Sequence, residues 1–283
     1  MQKNKIRLFS DPAIESTLTP YLRAGETCPA MLVVPGGGYA QVCERTEGEP
    51  IARRFNELGF HAFVLEYRVA PHQFPAPMHD AMRAVQLIRR NAREWGVISD
   101  RVAACGFSAG GHLCAMLGTI VDKINDFDGT VEECSVNGLV LSYALLSMQE
   151  PLGHSECMKN FFGSNTVAPE KKRLCTPYLQ ITDKTPPAYV WHTFGDTLLT
   201  FFTPMEFAKA MVERGRPCEL HVYPLGNHGM LLGLDCDVES WTGDAAGFLN
   251  TQWDIRDGKE QEILARYDYQ HQCDLSEKRY IRS

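Results

Sequence analysis

Arg101-Val102-Ala103-Ala104-Cys105-Gly106-Phe107-Ser108-Ala109-Gly110 is the stretch on which the reading of this 283-residue chain turns. Arg101–Cys105 is short and apolar and ends at a glycine, as a buried strand does. After Gly110 the apolar residues continue to about Ile120, which reads as a helix. Between the two lies Gly-x-Ser-x-Gly. Alone that pattern is weak. Set between a strand and a helix it gains force, because a nucleophilic serine needs that context. The hydroxyl must project into a cleft from a tight strand-to-helix turn. Glycines two residues to either side let the backbone fold that sharply. The same turn sets Ser108 at a helix N-terminus, where partial positive charge favours an oxyanion.

Outward from this stretch, short apolar runs alternate with longer helical periods. Met31–Val34 ends at Pro35 and the glycines Gly36, Gly37 and Gly38, and reads as a buried strand entering a glycine loop. His61–Tyr67, Leu139–Ser142, Pro187–Thr193 and Glu219–Tyr223 read as further strands. Ile51–Leu58 reads as a helix stopped by Gly59. From Met78 to Trp95 apolar residues step by three or four, one face of a long helix with Pro77 in its first turn and Gly96 at its end. Phe201 to Arg214 forms another helix. The alternation predicts an α/β fold, with a mostly parallel central sheet and helices on both faces. Its ligand site belongs at the carboxyl ends of the strands.

Serine needs a base. Of the nine histidines, His228 stands out, in the loop Leu225-Gly226-Asn227-His228-Gly229 just after the last strand. His112, one helical turn beyond Ser108, is expected to pack, and His61, His72, His79 and His271 have ordinary readings. The orienting carboxylate should leave a strand end between serine and histidine. Asp196 does so, whereas its rivals Asp183 and Asp235 follow no strong strand. The order Ser108, Asp196, His228 is that of α/β-hydrolases and differs from the chymotrypsin and subtilisin orders. The glycine loop lacks the Gly-Lys-Ser/Thr of a P-loop and the Gly-x-Gly-x-x-Gly of a dinucleotide site. Its alternative use is an oxyanion hole, with the N–H groups of Gly37 and Gly38 joining that of Ala109. Tyr39 follows this loop and is expected to line the pocket. Arg45 and Glu47 either reach a sugar hydroxyl or lie on a solvated face. Arg68 and Asp80 are expected to form a structural ion pair.

Composition bounds the partners. Hydrophobic residues make up 44% and charged residues 22%, ordinary globular values. Lys+Arg number 28 against 35 Asp+Glu, a balance of −7 without a basic cluster, which argues against nucleic acid and anionic membranes and favours neutral substrates. No stretch approaches the ~20 apolar residues of a spanning helix. The ten cysteines contain no Cys-x-x-Cys pair and no zinc spacing. Lys3, Lys5 and Arg7 are followed by no apolar signal core, so a cytoplasmic enzyme with reduced, packed cysteines is the expectation.

Pro35-Gly36-Gly37-Gly38-Tyr39, Tyr67-Arg68-Val69-Ala70, Gly106–Leu113, Pro186-Pro187 with Trp191-His192-Thr193 and Asp196, and Glu219–Pro224 with His228-Gly229 together resemble one branch of the α/β-hydrolases. That branch comprises bacterial acetyl-xylan-esterase-like and feruloyl-esterase-like carboxylesterases. The resemblance spans roughly residues 28 to 249. It implies hydrolysis of short-chain esters, often acetyl groups on sugars, by Ser108, His228 and Asp196 with no cofactor or metal. Some relatives carry xylanase names, but this chain shows no glycosidase carboxylate pair. Where such relatives have Val-Pro shortly after the aspartate, this chain has Thr197-Leu198-Leu199-Thr200-Phe201-Phe202, which predicts a more apolar wall. An amidase, arylformamidase or peptidase on the same fold is the alternative, and a non-catalytic binding protein of that fold is the second. The expected organisation is one catalytic domain over 1–249, with a small lid inside 122–184. Residues 250–283 form a charged tail, or an arm against another subunit of a homo-oligomer.

Overall fold

A computed structural model describes residues 5–268 and residue 272. Its centre is an eight-stranded sheet in the order β1-β2-β4-β3-β5-β6-β7-β8. The strands are β1 (Ile6–Arg7), β2 (Thr17–Tyr21), β3 (Cys28–Val34), β4 (His61–Glu66), β5 (Val97–Phe107), β6 (Gly138–Ser142), β7 (Ala188–Thr193) and β8 (Cys218–Tyr223). Strands β3 to β8 run parallel, and β1 and β2 are antiparallel additions at one edge. The interior strands are covered on both faces, so they read as continuous apolar runs such as Ala30–Val34. β8 closes the other edge, half-exposed and carrying Glu219 and His221, a polar margin that discourages further pairing.

The two edge strands have no counterpart in the sequence reading. Pro20 inside Thr17–Tyr21 argues against a strand, yet β1 pairs only with Thr17 and Leu18. Pro20 therefore stands where the outer side needs no N–H, the position a sheet permits proline.

Helices cover both faces: α1 (Glu49–Glu57), α2 (Ala76–Arg90), α3 (Ala109–Leu117), α4 (Ser155–Phe162), α5 (Phe202–Glu213) and α6 (Trp241–Asp254). Two cores result. On one face Met78, Val85, Leu113 and Phe207 pack with Leu32 and Leu141. On the other Phe55, Trp241 and Leu249 pack with Val33, Phe107 and Trp191. The long helix expected from Met78 to Trp95 ends instead at Arg90, where the Asn91 side-chain amide donates to the Leu87 carbonyl at 2.8 Å. A short turn, Ala92–Trp95, resumes and stops at Gly96 with φ 69°.

The two halves of the segment expected to hold a lid behave differently. Residues 122–135 pack beside α2, where Gln86 donates to the Asp128 carbonyl and to Glu133. Helix α4 packs against the glycine loop, with Phe161 4.6 Å from the Tyr39 ring.

The boundary drawn at residue 249 falls inside α6. Trp253 in its last turn is buried, and its indole N–H donates to the Asn137 carbonyl at 3.0 Å. Beyond it Asp254 and Asp257 pair with Arg101, and Arg256 pairs with Asp100. Asp254, Arg256 and Asp257, three of the charged residues that suggest a tail, are thus partners of the β5 start. The rest of that segment, with His271 and Cys273, lies outside the described residues. The nine described cysteines are all free, and all but Cys43, Cys218 and Cys236 are buried. Among the described residues no helix is long and apolar enough to cross a membrane.

Candidate active site

Ser108 occupies the corner between β5 and α3 with φ 51° and ψ −118°, a conformation that costs a non-glycine residue energy. Neighbours hold it there: its N–H donates to the Ser142 carbonyl (3.1 Å) and its carbonyl accepts from Leu145 (3.1 Å) and His112 (3.1 Å). A Cβ on Gly106 would strike the Gly110 carbonyl, and one on Gly110 would strike the Val34 and Pro35 carbonyls. The two glycines are thus required by close backbone packing around the serine.

The three side chains singled out in the sequence meet. Ser108 Oγ lies 2.9 Å from His228 Nε2, and His228 Nδ1 lies 2.7 Å from Asp196 Oδ2. Asp196 is fixed from several directions. Its Oδ1 accepts from the Leu198 (2.8 Å) and Leu199 (2.9 Å) N–H groups, and its Oδ2 also faces His192 Nε2 at 3.1 Å. Burial alone would raise its pKa, but hydrogen bonds from His192, His228 and Leu199 outweigh burial and hold the carboxyl well below its ordinary range. Asn227 ties the two loops together, its Oδ1 accepting from His228 N–H (2.8 Å) and from Thr197 N–H (3.3 Å) and hydroxyl (3.2 Å). Behind them α6 presses Trp241 against Trp191 at 5.4 Å and donates its indole N–H to the Leu231 carbonyl (2.9 Å) in the same stretch as His228.

Sequence reasoning passed over His192, Asn227 and Tyr143. His192 is fully buried at the end of β7, four residues before Asp196, and that spacing is the only signal it leaves. Tyr143 follows β6 with φ 36°, and its ring lies 5.0 Å from the His228 imidazole. Its signal is its place at a strand's carboxyl end.

The glycine loop passes directly beside the serine. A Cβ on Gly36 would lie 3.0 Å from Ser108 Cβ. Gly37 and Gly38 have φ of 126° and 63°, values that only glycine takes readily. Among the described residues nothing accepts from the Gly37 or Gly38 N–H. The Ala109 N–H, in the first turn of α3, has no acceptor within the helix. These donors are available to a negatively charged oxygen.

Two expected substrate contacts are drawn inward instead. Tyr39 is fully buried, its hydroxyl 2.6 Å from His112 Nδ1, so it braces the loop and lines no pocket. His112 Nε2 lies 2.8 Å from the Cys175 carbonyl, and burial lowers its pKa to about 4 against the raising effect of that carbonyl. Glu47 reaches neither solvent nor a pocket: one oxygen accepts from the Gly36 N–H (2.6 Å), the other from the Tyr143 hydroxyl (2.8 Å). A turn of helix, Glu44–Glu47, swings the carboxylate under the loop, a packing that the charge of the residue conceals. Arg45 is exposed, and Arg68 forms its ion pair with Asp80 at 2.8 Å.

A cavity of about 360 Å³ opens beside Asp196, walled by Pro151, Leu152, His154, Phe194, Leu198 and Phe201. The stretch after the aspartate contributes Thr197, Leu198, Leu199, Thr200 and Phe201, so the wall it builds is mixed and not the simply apolar one expected. A larger cavity, about 440 Å³, touches none of the three residues and lies by the chain leading into β2 and the chain leaving β4, lined by Glu15, Glu44, Glu66 and Arg68. Among the described residues no three His, Cys, Asp or Glu side chains are grouped to hold a metal ion.

Fold and site together define an α/β-hydrolase domain. The chain belongs to the BD-FAE family, whose model matches residues 19–211. It is 32% identical over 221 residues to endo-1,4-beta-xylanase B of Butyrivibrio fibrisolvens, covering 75% of this chain and 34% of that protein. It is 30% identical over 207 residues to the acetylxylan esterase of Xylanibacter ruminicola, covering 72% of this chain and 41% of the relative. The chain thus spans well under half the length of these relatives. Among solved structures it resembles the acetyl ester-xyloside bifunctional hydrolase of Caldicellulosiruptor lactoaceticus, with a TM-score of 0.79, 33% identity, and 90% and 97% of the two chains covered. MGS-M1, an α/β hydrolase from a deep-sea metagenome library, follows with a TM-score of 0.69, 31% identity, and 89% and 97% covered.

Proposed function

We propose that this chain is a serine carboxylesterase that removes short acyl groups, acetyl foremost, from sugars or xylo-oligosaccharides. The observation that carries the reading is the relay of contacts from Ser108 through His228 (2.9 Å) to Asp196 (2.7 Å), set beside unpaired N–H donors. His228 takes the Ser108 proton as the oxygen attacks the ester carbonyl, and Asp196 holds the imidazole tautomer and stabilises its protonated form. Gly37, Gly38 and Ala109 hold the oxyanion, each such donor typically supplying ~3 kcal/mol. His228 returns the proton to the leaving alcohol, and water then cleaves the acyl-enzyme by the same steps in reverse. The acetyl and sugar parts are supported by the relatives, one named an acetylxylan esterase and one an acetyl ester-xyloside hydrolase. A panel of aryl acetate, aryl butyrate, acetylated xylo-oligosaccharide, aryl xyloside and formyl-arylamine, run with Ser108→Ala as control, tests the reading. Acetyl esters should lead, and the control should lose at least about 10⁴-fold. Activity that survives Ser108→Ala, or a preference for the amide, would sink it.

A further inference from the structure

Glu47 is the buried carboxylate that this mechanism leaves unused. Its two oxygens go to two different parts of the site. Oε2 accepts from Gly36 N–H at 2.6 Å, immediately before the proposed oxyanion glycines. Oε1 accepts from the Tyr143 hydroxyl at 2.8 Å, and the Tyr143 ring packs at 5.0 Å and 70° against the His228 imidazole. Both contacts are short, and the residue is 6% exposed, so water does not compete for either.

The surroundings leave neither end free to drift. Gly36 is wedged so closely that a Cβ would lie 2.9 Å from Glu47 Oε2 and 2.8 Å from the Phe107 carbonyl. Tyr143 donates its own N–H to the Trp191 carbonyl at 2.9 Å, and its ring also contacts Phe107 and Trp191. The carboxylate is therefore a strut of fixed length between the loop that receives the oxyanion and the ring that backs the base. Burying a carboxylate is costly, and an apolar side chain would fill the space without that cost. What an apolar side chain lacks is two acceptors at a fixed separation.

We infer that Glu47 is a positioning residue, and that with Tyr143 it sets the distance between the glycine loop and the His228 imidazole. This rests on the proposed role of Ser108, His228 and the glycine loop. Its signature is a loss in kcat, with little change in KM, because the geometry it sets matters most when the oxygen is charged.

The test compares Glu47→Ala, Glu47→Gln and Tyr143→Phe with the natural chain on an aryl acetate, counting active sites by stoichiometric reaction with a serine-directed phosphonate. Misplacement of reacting groups by about 1 Å costs about 100-fold. We expect Glu47→Ala to lose about 10- to 100-fold in kcat per titrated site, with KM changed less than about threefold. Glu47→Gln, which keeps one acceptor for Gly36, should recover part of that, and Tyr143→Phe should lose about 3- to 10-fold. The double variant Glu47→Ala/Tyr143→Phe should lose less than the product of the two. Unchanged kcat per site in Glu47→Gln and Tyr143→Phe, with only the melting temperature lowered, would overturn the inference. Tyr143→Phe keeps the ring's packing, so it decides the matter even if Glu47→Ala fails to fold. A natural chain that does not react with the phosphonate would bring down the Ser108 reading and this inference with it.

Discussion

Asp196 has both oxygens engaged: one accepts from His228 and lies 3.1 Å from His192 Nε2, which also bonds the Leu199 carbonyl (3.1 Å), and the other accepts from Leu198 and Leu199 N–H. That saturation keeps it ionised and leaves it one orientation. Asp196→Asn should therefore reverse the tautomer preference of His228 and lower kcat on the order of 10³- to 10⁴-fold, measured on an aryl acetate. His192→Gln removes an imidazole N–H shared between Asp196 and the Leu199 carbonyl and should cost up to about tenfold, since a hydrogen bond to a charged group is worth ~1.5 kcal/mol. A loss as large as that of Asp196→Asn would mean that His192 does more than orient the carboxylate. At this scale Ser108, Asp196 and His228 are legible in sequence because each sits at a turn with its own local signature. Glu47, Tyr143 and His192 are not, because their roles depend on contacts from distant parts of the chain. A glutamate in a polar stretch looks solvated until the fold shows what lies above it.

Among the elements, α3 is anchored by a histidine and not by aliphatic packing alone. His112 joins it to Tyr39 of the glycine loop and to the Cys175 carbonyl. Its folded pKa is lowered from 6.5 to about 4 by burial, against the Cys175 carbonyl. The unfolded chain therefore takes up this proton first as the pH falls. The stability it contributes is intact above about pH 6.5 and is lost as pH falls toward about 4, by about 3 kcal/mol in all. In urea unfolding at several pH values, His112→Gln should show a shallower slope across that window than the natural chain. An identical slope would detach His112 from the acid sensitivity. Gly106→Ala belongs to the same scale: its methyl meets the Gly110 carbonyl, which nothing can move, so the variant should lose folded, soluble protein outright. The parallel strands and helices α1, α2, α3 and α5 were readable from apolar periodicity, whereas α4 and α6 have no counterpart in the sequence reading. The break at Asn91 and the proline-bearing β2 were not, because a side-chain-to-backbone bond and an unpaired edge leave no periodic trace.

For the molecule as a whole, the helix that follows the catalytic motifs is structural and not an appendage. α6 lays Trp241 against Trp191 and Trp253 against the base of the sheet, where Arg101 lies over the indole at 5.9 Å. Trp253→Ala should cost about 3–5 kcal/mol, read from denaturant midpoints. Removing everything after residue 249 should do worse, because it cuts α6 within its last turns. A truncated chain as stable as the whole would show that this helix is dispensable.

The same helix has a bearing on how the protein is made. Synthesis delivers Ser108 first and His228 120 residues later. At about 5–20 residues per second that is an interval of roughly 6 to 24 s. The indole that braces the histidine stretch, Trp241, emerges later still. A nascent chain thus carries its serine for many seconds without the imidazole that, on the proposed mechanism, deprotonates it. On that mechanism, an unfinished chain would be spared premature acylation.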